Sequence, residues 1–267
     1  MTGRNKGAFI KILVVITFLV MIGVNALANI LPFNDTTTEQ VSNTYMNLFA
    51  PTGLTFAIWG LIYLLLAAYT VYQLGLFQSD KSPFKENLFR KVGIYFSISS
   101  IANALWIFAW HNFFIALSMI LMIVILVCLI IINLEINKKN LSLTEKIFIK
   151  LPFSIYFGWI TVATIANATT LLVSIGWDGF GISEPVWTSI IIAVGLIIGI
   201  ATIISNRDLA YGLVFIWAYA GILIRHTSAE GFAGQYPGVI NTVIISLGLL
   251  LLVHLYVIIL NKRELSY

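Results

Sequence analysis

The chain has 267 residues, 60% of them hydrophobic and 10% charged, with a mean hydropathy of +0.97. A soluble domain carries about 25% charged residues, so a water-soluble globule is excluded. The net charge of +4 is spread over the connections between apolar runs and leaves no basic surface for nucleic acid.

Eight uncharged apolar runs are long enough to read as membrane helices: 12–31, 53–76, 92–110, 113–133, 151–175, 186–205, 209–224 and 239–260. No run alternates with period two, which argues against an outer-membrane barrel. In lipid every backbone group must find its partner within the segment, so the runs are expected to be helices. The basic residues alternate with them. Arg4, Lys6 and Lys11 precede the first run; Lys81, Lys85, Arg90 and Lys91 follow the second; Lys138, Lys139, Lys146 and Lys150 follow the fourth; Arg207 follows the sixth; Lys262 and Arg263 follow the eighth. The connections 32–52, 111–112 and 176–185 hold no Lys or Arg, and 225–238 holds only Arg225. Under the positive-inside rule this predicts an integral membrane protein with both termini cytoplasmic. The expected location is a bacterial cell membrane.

The first run has a rival reading. Basic residues, an apolar stretch and Ala26-Leu27-Ala28 resemble a signal peptide with its cleavage site. A retained helix is favoured, because removal would leave seven spans and break the charge alternation.

The second run opens with Pro51 and Gly53, which mark a helix entry, and continues with Phe56, Trp59 and Tyr63 at near-helical spacing. In the third, Asn103, Trp106 and Trp110 fall at i, i+3 and i+7 and share one face. A lipid-exposed Asn is costly, so Asn103 and Trp106 are expected to face inward. Trp110 and His111, at the span end, are expected in the interfacial aromatic belt. Cys128, the single cysteine, lies in the fourth run and reads as a small packed hydrophobe. In the fifth, Trp159, Ala163 and Asn167 form a stripe at i, i+4 and i+8. Gly158 and Thr164 nearby read as helix-packing positions. With the predicted topology these residues converge on the outer half of the membrane, where the 32–52 connection can lie over them. Arg225, His226 and Glu230 read as solvated connection residues.

Taken in order, these motifs resemble the TspO/MBR family of tryptophan-rich sensory or translocator proteins. Trp159-x-x-x-Ala163-Thr164-x-x-Asn167, with Tyr156 three before the Trp, resembles that family's fifth-helix signature. Asn103-x-x-Trp106 resembles its third-helix motif, and Pro51-x-Gly53-x-x-Phe56 followed by Trp59 and Tyr63 its second. The resemblance covers about residues 1–175 and implies a five-helix bundle, often a homodimer. It also implies a hydrophobic pocket for porphyrins such as haem, or for sterol-like molecules, serving a sensor, receptor or carrier. There are departures: Thr52 stands where the family has the second Pro of Pro-Pro-Gly, the Phe56–Trp59 spacing is one shorter, and Ile155 replaces a fifth-helix Pro.

The expected fold is therefore an all-α integral membrane protein, a five-helix TspO-like bundle with about three further transmembrane helices. Residues 1–176 are expected to form the core and 177–267 the addition. The expected binding residues are Phe56, Trp59, Tyr63, Asn103, Trp106, Tyr156, Trp159, Ala163 and Asn167, whose aromatic walls and few amides suit flat apolar ligands. No cofactor is required; porphyrin or haem enters as ligand. The expected partners are the lipid membrane and a hydrophobic small molecule. Two alternatives stand beside this reading, a transporter of a small hydrophobic solute and a porphyrin-degrading enzyme. Against an enzyme, no carboxylate lies deep in the first five runs and no His lies near the middle of one, so general acid–base chemistry has no evident agent. Against an ion transporter, intramembrane charge is missing from the spans.

Overall fold

The computed structural model describes residues 3–30, 34, 36–76 and 83–264. Leu31, Asp35 and Lys81, and the side chains of Arg4, Lys6, Lys85 and Arg263, fall outside what is described. Among the described residues there is no strand. Eight helices are long and apolar enough to cross a membrane. In chain order the helices are α1 (Gly3–Ile30), α2 (Thr38–Thr44), α3 (Ile58–Gln73), α4 (Pro83–His111), α5 (Ile115–Asn137), α6 (Leu143–Glu145), α7 (Leu151–Ser174), α8 (Glu184–Asn206), α9 (Leu209–Thr227) and α10 (Pro237–Glu264). A 3-10 turn, Gly53–Ala57, leads into α3, and a π-helical turn, Lys146–Lys150, joins α6 to α7. The two short helices α2 and α6 lie outside the eight predicted runs. Each long helix coincides with one run, because the uncharged length that lipid demands is also the length over which helical hydrogen bonding is obligatory.

Five of the long helices close a ring: α1 beside α4, α4 beside α5, α5 beside α7, α7 beside α3, and α3 back against α1. The α4 helix shows how the sequence sorts its faces. Ile94, Ile98, Ile101, Leu105 and Phe108 recur every three or four residues and are exposed to the lipid side, while Ser99, Ser100 and Asn103 are fully buried. The serines satisfy their hydroxyls on the Phe96 carbonyl one turn back. The first helix is integral to this ring: Val14, Met21 and Ala28 are buried, and Asn25 Nδ2 donates to Asn103 Oδ1 at 2.8 Å. Cys128 is buried in α5 as a free thiol.

The remaining helices α8, α9 and α10 pack on one another and dock on the ring mainly through α9 against α7. Small residues set the approach. A Cβ on Gly158 of α7 would lie 2.8 Å from the Tyr211 carbonyl of α9, and one on Gly199 of α8 would lie 2.9 Å from the Phe215 ring. Gly158 is thus a packing position, as its sequence context suggests. Asp208 caps α9 by accepting from the Tyr211 N–H at 3.1 Å, and its other oxygen accepts from the Ser154 hydroxyl of α7. This buried carboxylate fixes where α9 starts.

The α9 helix runs through Arg225 and His226 to Thr227, three residues past the predicted span. That corrects the reading of these two residues as solvated: His226 is fully buried and Arg225 half-buried, whereas Glu230 is exposed as expected.

Candidate ligand site: an aromatic cavity under a roof

Three helices of the ring, α3, α4 and α7, bring four indoles to one place. Thr52 caps the 3-10 turn, its hydroxyl accepting from the Leu54 N–H at 3.2 Å, and the turn points Phe56 and Trp59 inward. Trp106 and Trp110, one turn apart on α4, stack at 5.4 Å and 22°. Trp159 of α7 meets Trp59 edge-on at 6.1 Å and Phe56 at 6.0 Å. Edge-to-face pairs of this kind are favoured by the ring quadrupoles. With Met122 of α5 and Ala163 and Asn167 of α7 they line a cavity of about 50 Å³.

Of the residues singled out from sequence, Phe56, Trp59, Trp106, Trp159, Ala163 and Asn167 line this cavity. Tyr63, Asn103 and Tyr156 sit in a layer beneath it. Tyr63 stacks on Trp59 at 5.5 Å, and Tyr156 meets Trp59 at 6.2 Å. Asn103 joins Asn25 to the Tyr156 hydroxyl, donating to the latter at 3.5 Å. The amides are thus held by protein. Asn167 Oδ1 accepts from Trp106 Nε1 at 2.9 Å, and its Nδ2 donates to the Ser118 hydroxyl at 3.1 Å, tying α4, α5 and α7 together. At the cavity wall Trp159 Nε1 is a buried donor with no hydrogen-bond partner among the described residues. A buried N–H without an acceptor is unfavourable by about 1–3 kcal/mol.

The roof was not legible as structure. The α2 helix folds back over the end of α4, held by a capping box in which the Thr37 hydroxyl accepts from the Gln40 N–H and Gln40 Oε1 accepts from the Thr37 N–H. Trp110 Nε1 donates to the Thr38 carbonyl at 3.1 Å, and His111 Nε2 lies 3.1 Å from the Thr38 hydroxyl. Trp110 is 5% exposed and His111 fully buried. This corrects their reading as interfacial belt residues: α2 covers the surface on which a belt residue would sit. Beyond α2, Asn47 Oδ1 accepts from the N–H groups of Phe49 and Ala50 and shapes the segment down to Pro51. Thr38, Ser42, Asn47 and Pro51 complete the cavity lining.

The roof is tied to the last helices as well. The Thr52 N–H donates to the Gly221 carbonyl at 3.2 Å, and Trp217 Nε1 to the Thr55 carbonyl at 2.9 Å. Arg225 donates to the Pro51 carbonyl and to Asn43 Oδ1, each at 3.2 Å, and His226 Nε2 lies 2.8 Å from the Leu48 carbonyl. A Cβ on Gly221 would lie 2.0 Å from the Thr55 hydroxyl, so only Gly lets α9 come this close. Cavity walls drawn from residues 38–170 are therefore covered by a segment fastened from beyond residue 177.

A second, more open cavity of about 180 Å³ lies beside the first, between Phe49, Trp177 and Trp187, and Asn47 lines both. It carries none of the expected binding residues.

The fold and this site define a polytopic helical membrane protein with an aromatic cavity closed on one side of the bilayer. A family model described as TSPO-like protein matches residues 11–257, so the chain belongs to the TSPO-like protein family. The match runs through the last three helices as well as the five-helix ring. Comparison with curated proteins and with solved structures found no match.

Proposed function

We propose that the protein is a ligand-binding sensor or carrier. It takes a flat, largely apolar ligand of the porphyrin class between Trp59, Trp106, Trp110 and Trp159. The observation that carries this reading is the unmet Trp159 Nε1 donor on the wall of an indole-lined cavity: a ligand carrying an acceptor gains both stacking area and that hydrogen bond. Size sets a condition. Ligand pockets run to roughly 300–1,000 Å³, and the cavity here is about 50 Å³, so binding requires the roof to move. Displacing Asn47 joins the cavity to its 180 Å³ neighbour, the direction in which room is closest at hand.

The experiment is a titration of the purified protein with protoporphyrin IX, following tryptophan fluorescence and porphyrin absorbance. Saturable binding should weaken several-fold in Trp159→Leu and Trp106→Leu, each losing a stacking partner worth on the order of 1 kcal/mol beyond its buried area. It should be unchanged in Phe108→Leu, a lipid-facing aromatic. Non-saturable uptake, equal in all three, would mean partitioning into the detergent and would sink the proposal.

A further inference from the structure

On the roof side of the bundle, the connection from α7 to α8 rims the 180 Å³ cavity beside the indole cavity. Two of its walls are Trp177 and Trp187, whose ring centroids lie 5.1 Å apart at 57°. The connection holds Trp187 in place. Trp187 Nε1 donates to the Gly179 carbonyl. A Cβ on Gly179, which has φ 65°, would lie 2.8 Å from the Trp187 ring, so glycine is what lets the indole lie against the turn. The polar edge of Trp187 is thereby used within the fold.

Two carboxylates share the rim. Asp178 Oδ1 accepts from the Phe180 N–H at 2.9 Å, and Glu184 Oε1 accepts from the Leu48 N–H at 3.1 Å. Each side chain is fixed through one oxygen and remains exposed, and neither joins an ion pair among the described residues. No Lys or Arg lines the cavity. The sequence gives the reason: 32–52 and 176–185 contain none, and Arg225 is engaged by the Pro51 carbonyl and Asn43.

An interfacial belt accounts for indoles at the end of a span. It does not account for two indoles set at an angle around a concavity with two carboxylates at its edge, nor for an indole N–H turned to the backbone instead of to water. Aromatic faces and carboxylates attract the same partner, a positive charge, the first through the ring quadrupole and the second through Coulomb attraction. A metal ion suits the walls poorly. Calcium takes about six to eight oxygens, and among the described residues no three His, Cys, Asp or Glu gather to hold a metal. Drug-sized pockets run to roughly 300–1,000 Å³, so 180 Å³ suits a small ligand.

We propose that this cavity binds a small free organic ammonium cation, its alkyl groups against Trp177 and Trp187 and its charge facing Asp178 and Glu184. Binding here needs no movement of the roof. The proposal does not rest on porphyrin binding, and its test is made with no porphyrin present, so the two readings fail separately.

The test is calorimetric titration of the full chain in a maltoside detergent. The probes are choline, its uncharged carbon isostere 3,3-dimethylbutan-1-ol, phosphocholine and calcium. Choline should bind saturably and on the order of tenfold more tightly than the isostere. Phosphocholine, whose phosphate meets the carboxylates, should bind more weakly than choline. Asp178→Asn keeps a capping side chain and Glu184→Gln keeps an acceptor for the Leu48 N–H; together they should lower choline affinity on the order of tenfold. Trp187→Leu should lower it several-fold, and Trp187→Phe, which keeps a ring, by less. Glu230→Gln, an exposed carboxylate that does not line the cavity, should change nothing. Equal binding of choline and its isostere would overturn the proposal, as would equal losses in the rim and Glu230 variants. Phosphocholine binding as well as choline would assign the cavity to a lipid head group, and calcium binding without choline binding would assign it to a metal; either result would overturn it too.

Discussion

Arg225 Nη1 donates to the carbonyl of Pro51 at 3.2 Å across a sequence separation of 174 residues. The second nitrogen donates to Asn43, and the guanidinium also lies 5.3 Å from the Phe232 ring. One cation near the end of α9 thereby holds both ends of the segment that roofs the aromatic cavity. Arg225→Met keeps the apolar stem and removes both donors. Hydrogen bonds to a charged group contribute about 1.5–3 kcal/mol each at most, so the roof should open far more often while the bundle stays folded. Hydrogen exchange should speed up in residues 43–55 and stay constant in α5. No change in exchange over 43–55 would show that the other ties suffice without Arg225.

Gly221 makes the same connection sterically. Alanine there would push its methyl into Thr55, so α9 must retreat from the entry to α3. Overpacking of this kind costs about 1–3 kcal/mol. Gly221→Ala should lower the melting temperature, and adding Thr55→Ala should recover part of the loss, since the two side chains compete for one space. A double variant no more stable than Gly221→Ala would place the strain elsewhere.

Orientation can be read with single cysteines in a Cys128→Ala background. Met46 on the roof side and Leu143 beside the basic turn are both exposed. The distribution of Lys and Arg predicts that Leu143→Cys labels from the cytoplasm and Met46→Cys only from the other face. Labelling of both from one face would be incompatible with the fold and charge pattern together.

The eight spans were legible because lipid imposes length and apolarity on each segment alone, whatever its neighbours do. Asn103, Trp106, Trp159 and Asn167 were legible as inward-facing because one helix period decides a face. What escaped were relations between segments. Trp110 and His111 look like belt residues until α2 lies over them, and the sign of α2, the Thr37-x-x-Gln40 capping pattern, sits in a connection that reads as loop. Arg225 looks solvated because its partners, the Pro51 carbonyl and the Asn43 side chain, lie more than 170 residues away in sequence and leave no local signature. The amides of Asn103 and Asn167 look available to a ligand until Tyr156, Trp106 and Ser118 are seen to occupy them. The unmet indole of Trp159 is the converse, a donor whose lack of a partner only three dimensions reveal.

Asn167 should therefore matter first to stability. Asn167→Leu keeps a good helix former of similar size and leaves Trp106 Nε1 buried without its acceptor. That loss is expected to be about 1–3 kcal/mol, visible as a lower midpoint in a denaturation titration. Trp106→Phe in the same background should restore part of it, because the stranded donor is then gone. No recovery would mean that the Ser118 contact, and not the indole, is what Asn167 secures.

Trp159 separates stability from binding in the opposite direction. Its Nε1–H is buried at the cavity wall with no acceptor among the described residues, so in the empty protein it is a cost. Phenylalanine keeps an aromatic face toward Trp59 and Phe56 and removes the donor, though it leaves a slightly larger space. Relief of an unsatisfied donor and loss of packing each amount to about 1–3 kcal/mol, so Trp159→Phe should be close to neutral for stability, in contrast to Asn167→Leu. If a ligand accepts the indole hydrogen bond, the same change should weaken it by about 1 kcal/mol, roughly fivefold. A porphyrin bearing free propionates and its dimethyl ester, compared across the wild type and Trp159→Phe, locate the acceptor. A larger loss for the free acid places a carboxylate on Nε1; equal losses place a ring atom there. Unchanged affinity for both ligands would mean that the indole N–H does not meet the ligand, and the hydrogen-bonding half of the proposed function would fall.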